Sequence, residues 1–202
     1  MSEPEAQRID DDPMAAYRVG TYALLARVLG RAPDAEALRA LREAPAGHDE
    51  DALGQAWAEL ATAARVSDPD TVERRHHQLL VGIAHGEISP HASWYQQGAL
   101  MGQTLAELRG ELQRLGLERQ DGAQEPEDHI AMLCEAMAWL IREPSHPLTE
   151  ERAFFQAFLE PWAGRMFSDL EAAAAEDPFF GALGRLGQAF MQVEARYYAM
   201  RR

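Results

Sequence analysis

The run Glu125-Pro126-Glu127-Asp128-His129 gathers three carboxylates and an imidazole around a proline, the residue types of acid–base and ligand-contact chemistry. Proline at a first helical position orients the turn that follows. Glu127 and Asp128 then stand where free backbone N–H groups and the positive end of the helix dipole favour negative charge. Two readings stay open. In one, the carboxylates cap and charge a helix. In the other, Asp128 and His129, splayed about 100° apart on that helix, present an acceptor and a switchable polar group to a ligand. Catalysis would need more, because nothing along the chain pairs an obvious nucleophile with a base.

A second group is His76, His77, His85 and His91. Clustered histidines suggest zinc or iron, yet this spacing matches no established ligand motif and no cysteine pair accompanies it. His76 and His77 are helix neighbours that point in different directions, so they do not readily share one ion. The competing reading is an ordinary mixture of surface and supporting histidines. A third group is Leu79-Leu80-Val81-Gly82 with Ser89-Pro90-His91-Ala92-Ser93-Trp94-Tyr95. Trp94 and Tyr95 opening a helix are ordinarily core residues. A non-helical loop flanked by apolar side chains and followed by an acidic helix start would instead make a groove suited to a basic, apolar peptide.

The elements that must position these groups are helical almost throughout. Asp12 as cap and Pro13 as first residue open a helix closed by Gly30, with Met14, Tyr17, Thr21, Leu24, Leu25 and Val28 on one face. Further helices are expected over Asp34–Glu43, Glu50–Val66, and from Ser67-Asp68-Pro69 to Val81, with a loop from Ala44 to Asp49. From Gly82 to Ser93 both helical and strand periodicity fail, which marks a functional loop. Helices resume over Trp94–Met101 and Thr104–Leu115, followed by a polar linker from Glu118 to Gln124. The clearest helix is expected to start at Pro126, with Ile130, Leu133, Cys134, Met137, Leu140 and Ile141 on one stripe, and to end before Pro144. Pro161 and Pro178 mark the later joints, and Leu183, Leu186, Phe190, Val193 and Tyr197 give the final helix its buried face. The fold class is therefore all-α: a single-domain bundle of roughly eight to ten helices over residues 13–202, behind a disordered acidic tail over residues 1–12.

Composition narrows the function. A formal charge of −14 disfavours nucleic acid and anionic membrane, and it favours a basic partner. The chain has no lysine and no asparagine, which excludes a Walker-type phosphate loop, a Schiff-base lysine and a Cys-His-Asn catalytic set. No stretch reaches the roughly 20 apolar residues of a membrane span, and the N-terminal residues lack the pattern of a secretory signal, so a cytoplasmic protein is expected. The single cysteine, Cys134, reads as a small buried hydrophobe.

Together these segments resemble the TorD/DmsD family of maturation chaperones for molybdopterin oxidoreductases. Glu125 to His129 resembles the family's E-P-x-D-H signature, and Leu79-Leu80-Val81-Gly82 its L-F-x-G element. Ser89-Pro90 with Ser93-Trp94-Tyr95 resembles the proline-aromatic segment between them. Phe158-Leu159-Glu160-Pro161-Trp162 and Asp177-Pro178-Phe179-Phe180 resemble the later helix junctions. The ordered match covers most of the chain from Met14 onward. The sequence departs from the pattern at Leu80, where phenylalanine is common, at His91, and at His76, where an aromatic is usual.

The resemblance implies a TorD-like fold and a protein, not an enzyme, that holds the twin-arginine leader or apo-form of a precursor until its cofactor is inserted. It also implies a peptide-binding set: Asp128 and His129 as polar contacts, Leu79, Leu80 and Pro90 as an apolar wall, Glu125 and Pro126 setting the geometry, and His91 and Trp94 beside them. Gly86-Glu87-Ile88-Ser89-Pro90 and Ala136-Met137-Ala138 look most like the branch associated with formate dehydrogenase. No resident cofactor or metal is expected, and the state is monomer or homodimer. Two alternatives differ in class: a metal-dependent enzyme using His76, His85 or His91, and a nucleotide-assisted assembly factor of the same fold.

Overall fold

The computed structural model describes residues 13–43, 51–81, 86–118 and 125–201. Among them the chain forms ten α-helices and no strand longer than an isolated bridge. In chain order these are α1 (Pro13–Gly30), α2 (Ala35–Glu43), α3 (Ala52–Val66), α4 (Pro69–His76), α5 (Ala92–Gln97) and α6 (Gln103–Arg114). They continue with α7 (Ile130–Arg142), α8 (Leu148–Phe158), α9 (Ala163–Ala173) and α10 (Pro178–Met200). The expected tail over residues 1–12, the whole loop from Ala44 to Asp49, the first four residues of the expected loop from Gly82 to Ser93 and most of the linker from Glu118 to Gln124 lie outside the described residues.

Local chemistry accounts for the helix starts. Asp34, Asp51 and Asp68 each accept a hydrogen bond from the backbone N–H three residues on, at 2.8, 2.6 and 3.0 Å. Pro69 and Pro178 occupy first-turn positions, where a missing N–H costs nothing. Asp177 opens α10 by accepting from the N–H groups of Phe179 and Phe180 through one oxygen, at 3.0 and 2.9 Å. Its other oxygen lies 3.5 Å from Arg75 Nε. Asp177→Ala is therefore expected to lower unfolding free energy by about 1–2 kcal/mol. Urea denaturation checks this, and a change within experimental error would reject the cap as a contributor.

The chain divides into two compact units, each drawn from both halves of the sequence: Met1–Gly30 with His91–Trp162, and Arg31–Pro90 with Ala163–Arg202. In the first unit α1 runs along α7, and α7 also packs on α8. The approach of α1 and α7 is close at Gly30, where a Cβ would stand 3.1 Å from that of Ala131. All six residues of the expected α7 stripe, from Ile130 to Ile141, are buried. The face of α1 differs from expectation. Ala15, Arg18, Tyr22, Leu25, Ala26 and Leu29 are buried along with Thr21 and Val28, whereas Met14 is exposed and Tyr17 and Leu24 are half-buried. Arg18 explains the rotation: periodicity places an arginine in water, but here its Nη1 lies 3.2 Å from the buried Glu151 on α8.

In the second unit α10 packs on α9 and α3, and α3 on α2. Leu183, Leu186, Phe190 and Tyr197 are buried as expected, and Val193 is half-buried. Gly184 and Gly187 let α10 approach α9: a Cβ on Gly184 would stand 2.8 Å from the Phe167 carbonyl oxygen, and one on Gly187 would collide with the Phe167 ring. The helix expected to run to Val81 is α-helical only to His76 and continues as a π turn, His77–Val81. The Glu87 and Ile88 N–H groups donate to the Gln78 and Leu79 carbonyls at 3.2 and 2.8 Å, pairing groups that local periodicity would have assigned within the helix. Gly86 must be glycine for this contact, because a Cβ there would sit 2.4 Å from the Leu79 carbonyl oxygen.

Candidate functional site

The signature residues do not stand on a helix. Pro126 to Asp128 form a turn in which the His129 N–H donates to the Pro126 carbonyl at 3.1 Å, and α7 begins only at Ile130. The expected start at Pro126 is therefore four residues early. His129 is the cap: its Nδ1 accepts from the Ala131 N–H at 3.1 Å, which requires a bare Nδ1 and so the neutral Nε2–H tautomer. The expectation that Asp128 and His129 project from a helix toward a ligand is corrected on a second count. Their exposures are 1% and 5%.

Burial follows from what Asp128 holds. Its Oδ2 accepts from the Ser93 N–H at 2.9 Å and from the Ser93 hydroxyl at 2.6 Å. Its carbonyl accepts from the Ala92 N–H at 3.0 Å. His91, the N-cap of α5, makes no side-chain capping bond, so a carboxylate from 35 residues away in sequence does that work. His91 and His129 pair in an antiparallel bridge, and their rings meet edge to face with centroids 5.1 Å apart. Asp128 Oδ1 is buried and accepts no hydrogen bond among the described residues.

The Ser93 hydroxyl has a second duty, accepting from the Met101 N–H at 3.0 Å. At the rim, His91 Nε2 lies 3.5 Å from the exposed Glu125. Arg109 of α6 grips Glu127 through two parallel hydrogen bonds of 3.0 and 2.9 Å, and the bond to Glu127 is the main cause holding its guanidinium more basic than usual. Within the first unit the structure thus joins Glu125, Pro126, Asp128, His129, His91 and, one residue beyond Ser93, Trp94.

Leu79, Leu80 and Pro90 belong to the second unit and are buried there, the leucines in the π turn beneath Gly86 to Ile88. His76 is buried in the same unit, 6.2 Å from the Phe180 ring. His85 lies outside the described residues. Among the described residues no three His, Cys, Asp or Glu side chains come together as a metal would require. Nor is there an activated nucleophile here: the Ser93 hydroxyl is fully buried and gives its proton to a carboxylate, while burial pushes the Cys134 thiol well above its ordinary range.

Ser93, Met101 and Arg109 escaped the sequence reading as members of this cluster. The signals were a serine at the start of a helix without its own capping side chain and an apolar pair, Leu100-Met101, set between Gly98 and Gly102.

Residues 47–168 match the family model described as nitrate reductase delta subunit. The chain belongs to that family. It is also similar to the Tat proofreading chaperones DmsD of Salmonella typhimurium, Salmonella paratyphi A and Salmonella typhi, each 27% identical over 177 residues, covering 83% of this chain and 85% of theirs. In fold it is similar to the crystal structure of a protein described as a redox enzyme maturation protein from Archaeoglobus fulgidus. The TM-score is 0.57 at 16% identity, over 87% of this chain and 93% of that one. These relations agree with the TorD/DmsD resemblance. Among the described residues no helix is long and apolar enough to cross a membrane.

Proposed function

We propose that this chain is a cytoplasmic maturation chaperone that binds the twin-arginine leader, and the apo-form, of a molybdopterin oxidoreductase precursor, so that the cofactor enters before export. The observation that carries the reading is the near-full-length similarity to Tat proofreading chaperones, together with the joined Asp128-Ser93 and His91-His129 cluster. The charge of −14 supports it, since a leader combining paired arginines with an apolar stretch is complementary to an acidic surface.

The direct contacts fall to the accessible residues: Glu125, Pro126, His91 and Trp94 are half-buried or exposed. Asp128 and His129 act from inside, holding α5 and α7 in place. Leu79, Leu80 and Pro90, buried in the second unit, act from its interior and not as contacts. We assign the client to formate dehydrogenase on the Gly86-Pro90 and Ala136-Ala138 segments.

Titration calorimetry tests the function. A synthetic peptide with an Arg-Arg pair followed by a leucine-rich stretch should bind, and its Lys-Lys counterpart should bind about tenfold more weakly, because lysine lacks the planar fork that grips a carboxylate. Absence of binding, or equal binding of the two, would reject the reading. Titrating leaders of different molybdoenzymes tests the client, and a preference for one from outside the formate dehydrogenases would reject that assignment alone.

A further inference from the structure

Helix α5 and the turn that joins it to α6 combine three features that ordinary surface packing does not require. Trp94, Leu100 and Met101 are 43%, 40% and 59% exposed, three of the large apolar side chains that the described residues leave in water. Met101 has φ +70°, and is the one described non-glycine residue in the left-handed region, between Gly98 at +73° and Gly102 at +80°. Its N–H is tied to the Ser93 hydroxyl, which is tied in turn to the buried Asp128 carboxylate. A left-handed methionine is costly, and such conformations persist where the surroundings impose them for a purpose. Relaxation would pull the Met101 N–H off the Ser93 hydroxyl and move the adjacent apolar pair with it.

We infer that Trp94, Leu100 and Met101 form the seat for the apolar stretch of an arginine-bearing leader, and that Asp128, acting through Ser93, is the positioning residue that keeps the seat in shape. The inference rests on the chaperone reading and names the surface that reading needs. Charge complementarity supports this occupant: exposed Glu107 lies just beyond the turn on α6, and exposed Glu125 stands beside His91 at the start of α5. Apolar side chains flanked by carboxylates suit a segment in which arginines adjoin leucines. The same route accounts for a buried aspartate that no peptide could touch.

The double variant Leu100→Gln, Met101→Asn tests the seat without disturbing the interior, because both side chains are exposed and asparagine tolerates a positive φ. Two probes are titrated: an Arg-Arg peptide with a leucine-rich stretch, and one with a serine-glycine stretch. The leucine-rich peptide should bind the variant about tenfold more weakly than the wild type, and the serine-glycine peptide equally to both. Wild-type affinity of the leucine-rich peptide for the variant overturns the seat while leaving the chaperone reading intact. Failure of the wild type to bind either probe overturns both. Sedimentation velocity adds a third arm: a variant that turns a dimer into a monomer with peptide binding unchanged assigns the patch to a second copy and overturns the proposal.

Ser93→Ala tests the positioning role. It should speed hydrogen exchange at the Met101 amide and weaken the leucine-rich peptide alone. Faster exchange with unchanged binding overturns it.

Discussion

Glu151→Ala should lower the unfolding free energy by about 3–5 kcal/mol, the cost of breaking a buried ion pair by removing one partner. Arg18 on α1 and Glu151 on α8 are 1% and 0% exposed and meet at 3.2 Å. A guanidinium cannot shed its charge as a buried lysine can, so truncation leaves a fixed cation in the interior without this carboxylate. The paired replacement Arg18→Met with Glu151→Leu separates the pair's net worth from the penalty of removing one member. It should recover most of the loss, because well-packed apolar residues of similar volume replace buried ion pairs at little net cost. Urea denaturation of the three variants measures both effects. If Glu151→Ala stays within about 1 kcal/mol of the wild type, the pair is not desolvated in the way its burial indicates.

Gly184→Ala should cost about 3 kcal/mol, at the upper end of what overpacking a well-filled interior exacts. A Cβ at Gly184 would stand 2.8 Å from both the Phe167 carbonyl oxygen and the Glu171 N–H nitrogen. These are backbone atoms of α9, so relief requires moving a helix and cannot come from turning a side chain. Gly164, also in α9, is the control. A Cβ there meets nothing within 4 Å, so Gly164→Ala should stabilise by about 0.5–1 kcal/mol through lower backbone entropy in the unfolded chain. Thermal unfolding of both variants gives the contrast. Equal melting temperatures would mean that α9 and α10 do not approach as closely as the glycines allow.

Both predictions involve positions that a sequence pattern scores wrongly. An arginine in a helix reads as solvent-facing and a helical glycine as a weakness, until the partner that each meets is known. The same limitation shaped the candidate site. In the pentapeptide from Glu125 to His129 the proline and acids have the local pattern of a helix start. The true start lies at Ile130 because the His129 imidazole caps α7 and the Asp128 carboxylate is spent on α5. Cap and helix are consecutive for His129, whereas Asp128 and Ser93 are 35 residues apart, and no local rule links them.

What the amino-acid order determined by itself was everything set by neighbours within a few residues: an all-helical chain, the cap-and-proline start at Asp68, the buried stripes of α7 and α10, and an acidity that favours basic partners. These rest on the 3.6-residue period, on side chains reaching the nearest free N–H groups, and on summed charge. Tertiary structure alone decided which face of α1 turns inward, why the helix before Val81 widens into a π turn, and why the signature aspartate is buried. Each depends on a partner distant in sequence, Glu151, the Gly86-Ile88 segment and Ser93 respectively. Burial reverses the preference of a polar group only once that partner is in place.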